Sequence, residues 1–172
     1  MVKRSQEDWD SWIERIVENY SDMIMRIAMH QVSHRSEAED ITQKVFLKLI
    51  QKQPEFRCKE HEKAWIIRVT INFCKDYFKS SWFNKVIPFK KENVAVFSPQ
   101  EDCLLQQEED LLPIIHKLPQ NYKNVIYMYY YEGLNVSEIS KIINTKEGTV
   151  MSWLYRAREK LKFLMEGEYS DE

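Results

Sequence analysis

Along the first thirty residues apolar side chains return every three or four positions: Trp9, Trp12, Ile13, Ile16, Tyr20, Met23, Ile24 and Ile27. The spacing predicts a helix from about Gln6 to His30, with an apolar face wide enough to need more than one partner. Ser36-Glu37-Ala38-Glu39 has the S-x-x-E form of a capping box. It predicts the start of a second helix, with Ala38, Ile41, Val45 and Leu49 on one stripe and Pro54 at its end. Residues 60 to 79 repeat the period through Ile66, Val69, Phe73 and Tyr77, and Trp65 and Phe73 read as packing aromatics. Three helices with matching faces predict a small bundle.

The period lapses from Ser80 to about Gln100, a mixed stretch holding Pro88 and Pro99, so a linker is expected there. Leu104, Leu105, Leu111, Leu112, Ile114, Ile115 and Leu118 resume it. Pro113 then allows either a kink or a new helix starting near Leu112, and both stay open. "QNYKNVIYMYYYEG" predicts a further helix, closed by Gly133 in the C-cap manner. Asn135-Val136-Ser137-Glu138 is an N-x-x-E cap for a short helix burying Ile139, Ile142 and Ile143, and Asn144 suits the left-handed turn after it. Thr145 or a near neighbour caps a longer helix. On that helix Val150, Leu154, Ala157, Leu161 and Leu164 form one stripe, while Met151, Ser152, Tyr155, Arg156, Glu159 and Lys162 lie away from it and Arg158 and Lys160 flank it. Short helix, turn and longer basic helix make a helix-turn-helix. The expected fold is all-α: two small helical domains, 1–80 and 101–172, joined by a linker over 81–100.

Composition adds a pattern of charge. The net charge of −2 conceals a run of net +6 over residues 57–91 followed by net −6 over 92–112. The basic block suits a nucleic-acid backbone, and the acidic one suits mimicry of nucleic acid or cover for a basic face of the free protein. Cys58, Cys74 and Cys103 are odd in number and lack C-x-x-C spacing, which suits reduced and mainly buried thiols. No secretory h-region and no long apolar run occur, so a cytoplasmic protein without membrane insertion is expected. His30 and His34 stand at i, i+4, but no further ligand completes a metal set, and a surface pair is the expectation. Without a phosphate loop, nucleophile elbow or H-E-x-x-H, no catalytic site and no cofactor are expected.

The run "LPQNYKNVIYMYYYEGLNVSEISKIINTKEGTVMSWLYRAREKL" resembles the fourth, promoter-binding region of bacterial sigma factors, and "EAEDITQKVFLKLI" with "AWIIRVTINFCKDYFK" resembles their second region. Both stand in the family's order without a third region between them, which points to the extracytoplasmic-function group. The resemblance implies that Glu39, Asp40, Gln43 and Phe46 meet the clamp of core RNA polymerase. Lys44 stands where an acid is usual. It implies that the segment around Arg57, Lys59 and Lys63, with Asn72 and Asp76 on the following helix, captures bases of the minus-ten element, while Arg68, Lys75 and Lys79 hold phosphate. It implies further that Thr149, Ser152, Tyr155, Arg156 and Arg158 read the minus-35 element, although Met151 and Trp153 replace common basic residues. The partners implied are core polymerase, through its largest-subunit clamp and its flap, promoter DNA, and an anti-sigma factor, often membrane-bound, in a stress response. An independent helix-turn-helix regulator and a helical adaptor that never touches DNA are the competing readings.

Overall fold

The structure is a computed structural model and describes residues 6–32, 34–85 and 112–168. The first unit is a bundle of α1 (Gln6–Gln31), α2 (Arg35–Lys52) and α3 (Lys59–Lys85). On α1, Trp12, Ile16, Met23, Ile24 and Ile27 are buried, and on α2 the buried residues are Ala38, Ile41, Val45 and Leu49. The strict helical period therefore identified the inward face of both helices. The proposed capping box does not form. Helix α2 already starts at Arg35, so Ser36 lies inside the first turn, and His34 at the N-cap makes no side-chain capping bond. Glu39 instead pairs with Arg35 at 3.0 Å. At the other end Gln53 adopts a left-handed conformation, φ 46°, and Pro54 prevents continuation.

Helix α3 outruns the expected end by several residues and continues to Lys85, into the stretch expected as linker. The remaining linker positions, with Pro88, Pro99, Cys103, Leu104, Leu105, Leu111 and the acidic block before Leu112, lie outside the described residues. Across the bundle Arg15 makes two hydrogen bonds to Glu62, at 3.0 and 2.7 Å, and the Tyr20 hydroxyl donates a third at 2.9 Å. Burial alone would raise the Glu62 carboxyl, but these donors outweigh it and hold the group below its usual range. Tyr20, desolvated and hydrogen-bonded to the carboxylate, is pushed up to about 12.

The second unit comprises α4 (Leu112–His116), α5 (Gln120–Ile126), α6 (Val136–Ile143) and α7 (Glu147–Glu168). Pro113 stands in the first described turn of α4, and the residues before Leu112 that separate a kink from a new helix lie outside the described residues. Helix α5 runs into a π-helical turn, Tyr127–Tyr131. The wider turn stacks Tyr127 on Tyr131, with centroids 5.4 Å apart and planes 9° from parallel. Gly133, at φ +66°, then ends the helix, as the sequence predicts.

The units pack on one another through α1 with α4 and α5, and through α3 with α6. A buried hydrogen bond from Gln31 Nε2 to Asn124 Oδ1, 2.7 Å, crosses the boundary, and Gln120 bonds Gln31 as well. His30, expected at the surface, is only 1% exposed because the second unit covers this end of α1. His34 is exposed. The continuous core makes a stability prediction direct. Ile66 is fully buried in it, so Ile66→Ala should cost about 2–5 kcal/mol, read as a lower urea midpoint.

Candidate polymerase and nucleic-acid interfaces

With its apolar stripe committed to the bundle, α2 presents Glu39, Asp40, Gln43 and Lys44 to solvent. Phe46 is half-buried and packs against the core, so it supports the face more than it offers contact. Two residues went unrecognised in the sequence. Leu47 and Ile50 are 54% and 42% exposed and give this acidic face an apolar centre. Their signal was present as phase: they fall on the opposite side of the helix from Ala38, Ile41, Val45 and Leu49.

Arg57 lies in the short connection from α2 to α3, and its backbone amide donates to His61 Nδ1 at 3.4 Å. Phe56 packs edge-on against His61 and Trp65, centroids 5.6 and 5.8 Å away. Arg57, Lys59, Cys58 and His61 are all exposed there, against the burial expected of Cys58, whereas Cys74 is buried, which pushes it up to about 12. Arg68, Asn72, Lys75 and Lys79 follow on one stripe of α3, set by their spacing of three and four. The exposed end of the stripe is Lys79, 3.9 Å from Asp76.

The middle of that stripe meets α6. Arg68 donates from Nε to the Ile142 carbonyl at 2.8 Å and from Nη2 to the Lys141 carbonyl at 2.5 Å, satisfying carbonyls that a helix end leaves unpaired. Lys63 pairs with Glu132 at 2.7 Å, and the other Glu132 oxygen accepts from the Tyr127 hydroxyl. A groove of about 430 Å³ between Asn72, Lys75, Ile143 and Asn144 continues the contact. The candidate minus-ten residues are thus strung along α3 and the connection before it, and Lys63 and Arg68 are engaged by the second unit.

The helix-turn-helix forms as its sequence predicts. Asn135 Oδ1 accepts from the Glu138 amide while Glu138 accepts from the Asn135 amide, at 3.0 and 2.8 Å, completing a capping box. Asn144 turns the chain at φ 53°. Helix α7 starts at Glu147, and the Lys146 carbonyl accepts from Thr149 and Val150. Val150, Leu154 and Ala157 are buried, leaving Met151, Ser152, Tyr155 and Arg156 outward. Thr149 is half-buried beside Asn144, Thr145 and Lys146 at a shallow concavity. Ser152 donates to the Gly148 carbonyl at 2.9 Å. Arg158 is engaged differently from Arg156: its Nε donates to the Tyr130 hydroxyl at 2.7 Å, and its guanidinium lies 5.6 and 5.7 Å from the rings of Tyr129 and Tyr130. Among the described residues no group of His, Cys, Asp and Glu could hold a metal ion, and no helix is long and apolar enough to cross a membrane.

Two family descriptions match the chain, Sigma-70 region 2 over residues 16–83 and Sigma-70, region 4 over residues 108–161. Among curated relatives, the ECF RNA polymerase sigma factor SigM of Bacillus subtilis is 27% identical, the alignment covering 93% of this chain and 99% of SigM. The ECF sigma-E factor of Haemophilus influenzae is 25% identical, with 94% and 92% covered. The ECF sigma factor BldN of Streptomyces coelicolor is 26% identical over 96% of this chain, which spans only 64% of BldN. Among solved structures, the fold is similar to the sigma factor RpoE in a complex with the anti-sigma factor NepR from Bartonella quintana, with TM-score 0.71, 21% identity and 89% and 96% of the chains covered. The chain belongs to the sigma-70 family of RNA polymerase sigma factors, in its extracytoplasmic-function group. The independent-regulator reading gains no support from these relatives.

Proposed function

We propose that this sigma factor docks on core RNA polymerase through the outward face of α2, takes the separated minus-ten strand along α3 and reads the minus-35 element with α7. The observation that carries the reading is the presence, on one chain, of a helix-turn-helix with an outward Met151-Tyr155-Arg156 face and a separate acidic-apolar face at Asp40, Gln43, Leu47 and Ile50. A regulator that binds DNA alone has use for the first face only. Glu39 and Phe46 flank the docking face. In the strand path Arg57, Lys59, Lys63, Arg68, Lys75 and Lys79 supply phosphate contacts, and Asn72 and the aromatic connection offer groups to unstacked bases. Thr149, Ser152 and Arg158 position the recognition helix around Tyr155 and Arg156. The protein acts in the cytoplasm and by binding, the polymerase supplying the chemistry. RpoE is held by an anti-sigma factor in the structure it resembles, and an anti-sigma partner is proposed here too.

Run-off transcription with bacterial core polymerase and native promoter fragments tests the reading. Initiation at defined start sites only when this protein is added supports it, and failure to bind core enzyme overturns it.

Met151 makes a finer prediction about promoter choice. It is 56% exposed, one turn before Tyr155 at 64%, and the thymine methyl is the apolar group that the major groove presents to such a side chain. Replacing thymine by uracil in the upstream element should therefore weaken initiation about threefold to fivefold, the worth of one buried methyl group. With Met151→Ala the same replacement should have little further effect.

A further inference from the structure

The boundary between the units holds a cluster that the proposed function does not use. His30 of α1 is 1% exposed, and its Nδ1 has no hydrogen-bond partner among the described residues. Its ring lies 5.1 Å from the rings of both Tyr127 and Tyr131, in the π-helical turn of the other unit. His116 of α4, hydrogen-bonded to the Met29 backbone, and Lys123 of α5, 7% exposed, complete the cluster, with Arg26 on α1 close enough to act on it. Glu132, bonded to the Tyr127 hydroxyl, is already paired with Lys63. Among the described residues, these two histidines and the lysine have no ion pair with an acid. Charge on the histidines would meet Lys123 and Arg26 in a desolvated place.

We propose that this contact is a proton-sensitive latch: neutral His30 and His116 let the two units close over Lys123, and protonation of the histidines drives the units apart. In the closed arrangement two α6 carbonyls and Glu132 engage Arg68 and Lys63 of the candidate strand path. Opening frees that path, so acidification makes the factor available to polymerase and promoter. This consequence rests on the proposed function, whereas the opening itself does not.

The direction follows from linkage. Burial, then the neighbouring charges of His116, Arg26 and Lys123, push His30 down to about 4 in the closed state, against an ordinary value of 6.5. His116 is lowered as well, by burial and then by Lys123. A group lowered on closing stabilises the closed state fully above its ordinary value, and that stabilisation is lost as the pH falls through 6.5 toward 4. Between about pH 7.5 and 5.5 His30 alone should raise the ratio of open to closed molecules about tenfold, and His116 adds in the same direction.

Single-molecule energy transfer within the full chain reads that ratio without polymerase or DNA. Dyes go on Gln51→Cys of α2 and Lys160→Cys of α7, both exposed positions, after Cys58→Ser and Cys103→Ser remove the other reactive thiols; Cys74 is fully buried. The measurement is repeated with Arg68→Ala, which weakens the contact and brings the open population into range. The expected result is an acid-driven rise of about tenfold or more, reduced in His30→Phe, which keeps a ring between the tyrosines, and reduced in His116→Gln. Circular dichroism checks folding, and should His30→Phe misfold, His116→Gln decides. A ratio that does not change with pH, or a rise that survives undiminished in the folded histidine variants, overturns the latch. Because no polymerase is present, that failure leaves the sigma-factor reading standing, and a failed transcription assay leaves the latch standing.

Discussion

Asp40→Arg should lower affinity for core RNA polymerase roughly a hundredfold or more, the scale set by placing like charges together at an interface, several kcal/mol. Asp40 is exposed on α2, on the side away from Ile41, Val45 and Leu49, so the reversal leaves the packed stripe untouched. The bundle should melt as before, and the isolated effect should appear in equilibrium titration of labelled protein with core enzyme. Two companion changes separate charge from burial. Leu47→Ser should also weaken docking, because Leu47 is 54% exposed at the centre of the face, but its effect should be insensitive to salt. Lys44→Glu, which restores an acid at the exposed position next to Gln43, should strengthen docking a few-fold at low salt. Wild-type affinity in Asp40→Arg would remove α2 from the interface.

The inward face of α2 could be read from sequence because a helix buries what recurs at its own period, and Ala38, Ile41, Val45 and Leu49 do so without exception. Its first residue could not. Ser36 and Glu39 satisfy a capping pattern at one starting point, yet the helix begins earlier and engages Glu39 with Arg35. The cap at Asn135 formed because the preceding Gly133 and Leu134 leave the helical path there, so only one start is open. The π-helical turn was hidden for a related reason: it changes the hydrogen-bond register by one residue, while the tyrosine-rich run reads as an ordinary helix. Basic residues were legible as a class but not by occupation. Nothing in the local sequence tells Arg68, which bonds two carbonyls of α6, from Lys79, which lies near Asp76 of its own helix.

That difference in occupation orders the candidate surfaces. The α2 face and the outer face of α7 are exposed as the units stand, whereas the α3 stripe is partly covered by α6 and its following turn. Docking and upstream recognition as proposed would need no rearrangement of their own side chains. Use of Lys63 and Arg68 on DNA as proposed would exchange the Glu132 carboxylate and two helix-end carbonyls for phosphate.

Arg156→Ala should reduce promoter-directed initiation about tenfold to a hundredfold, the range of one specific arginine contact to a base, and leave core-polymerase affinity unchanged. Arg156 is exposed beside Tyr155, while the adjacent Ala157 carries the packing of α7 on the second unit. Truncation should therefore preserve the fold. Arg158→Ala is the informative contrast, since Arg158 is bonded to Tyr130 and lies over two tyrosine rings, and its loss should lower the thermal midpoint of the second unit as well as initiation. Salt distinguishes the modes by which Arg156 can act. If it reads a base, Arg156→Ala relaxes preference at one position of the upstream element; if it holds phosphate, every promoter weakens alike and the salt slope of binding falls by about one. Unchanged initiation from Arg156→Ala, with Tyr155→Ala also unchanged, would mean that the outer face of α7 does not read the promoter.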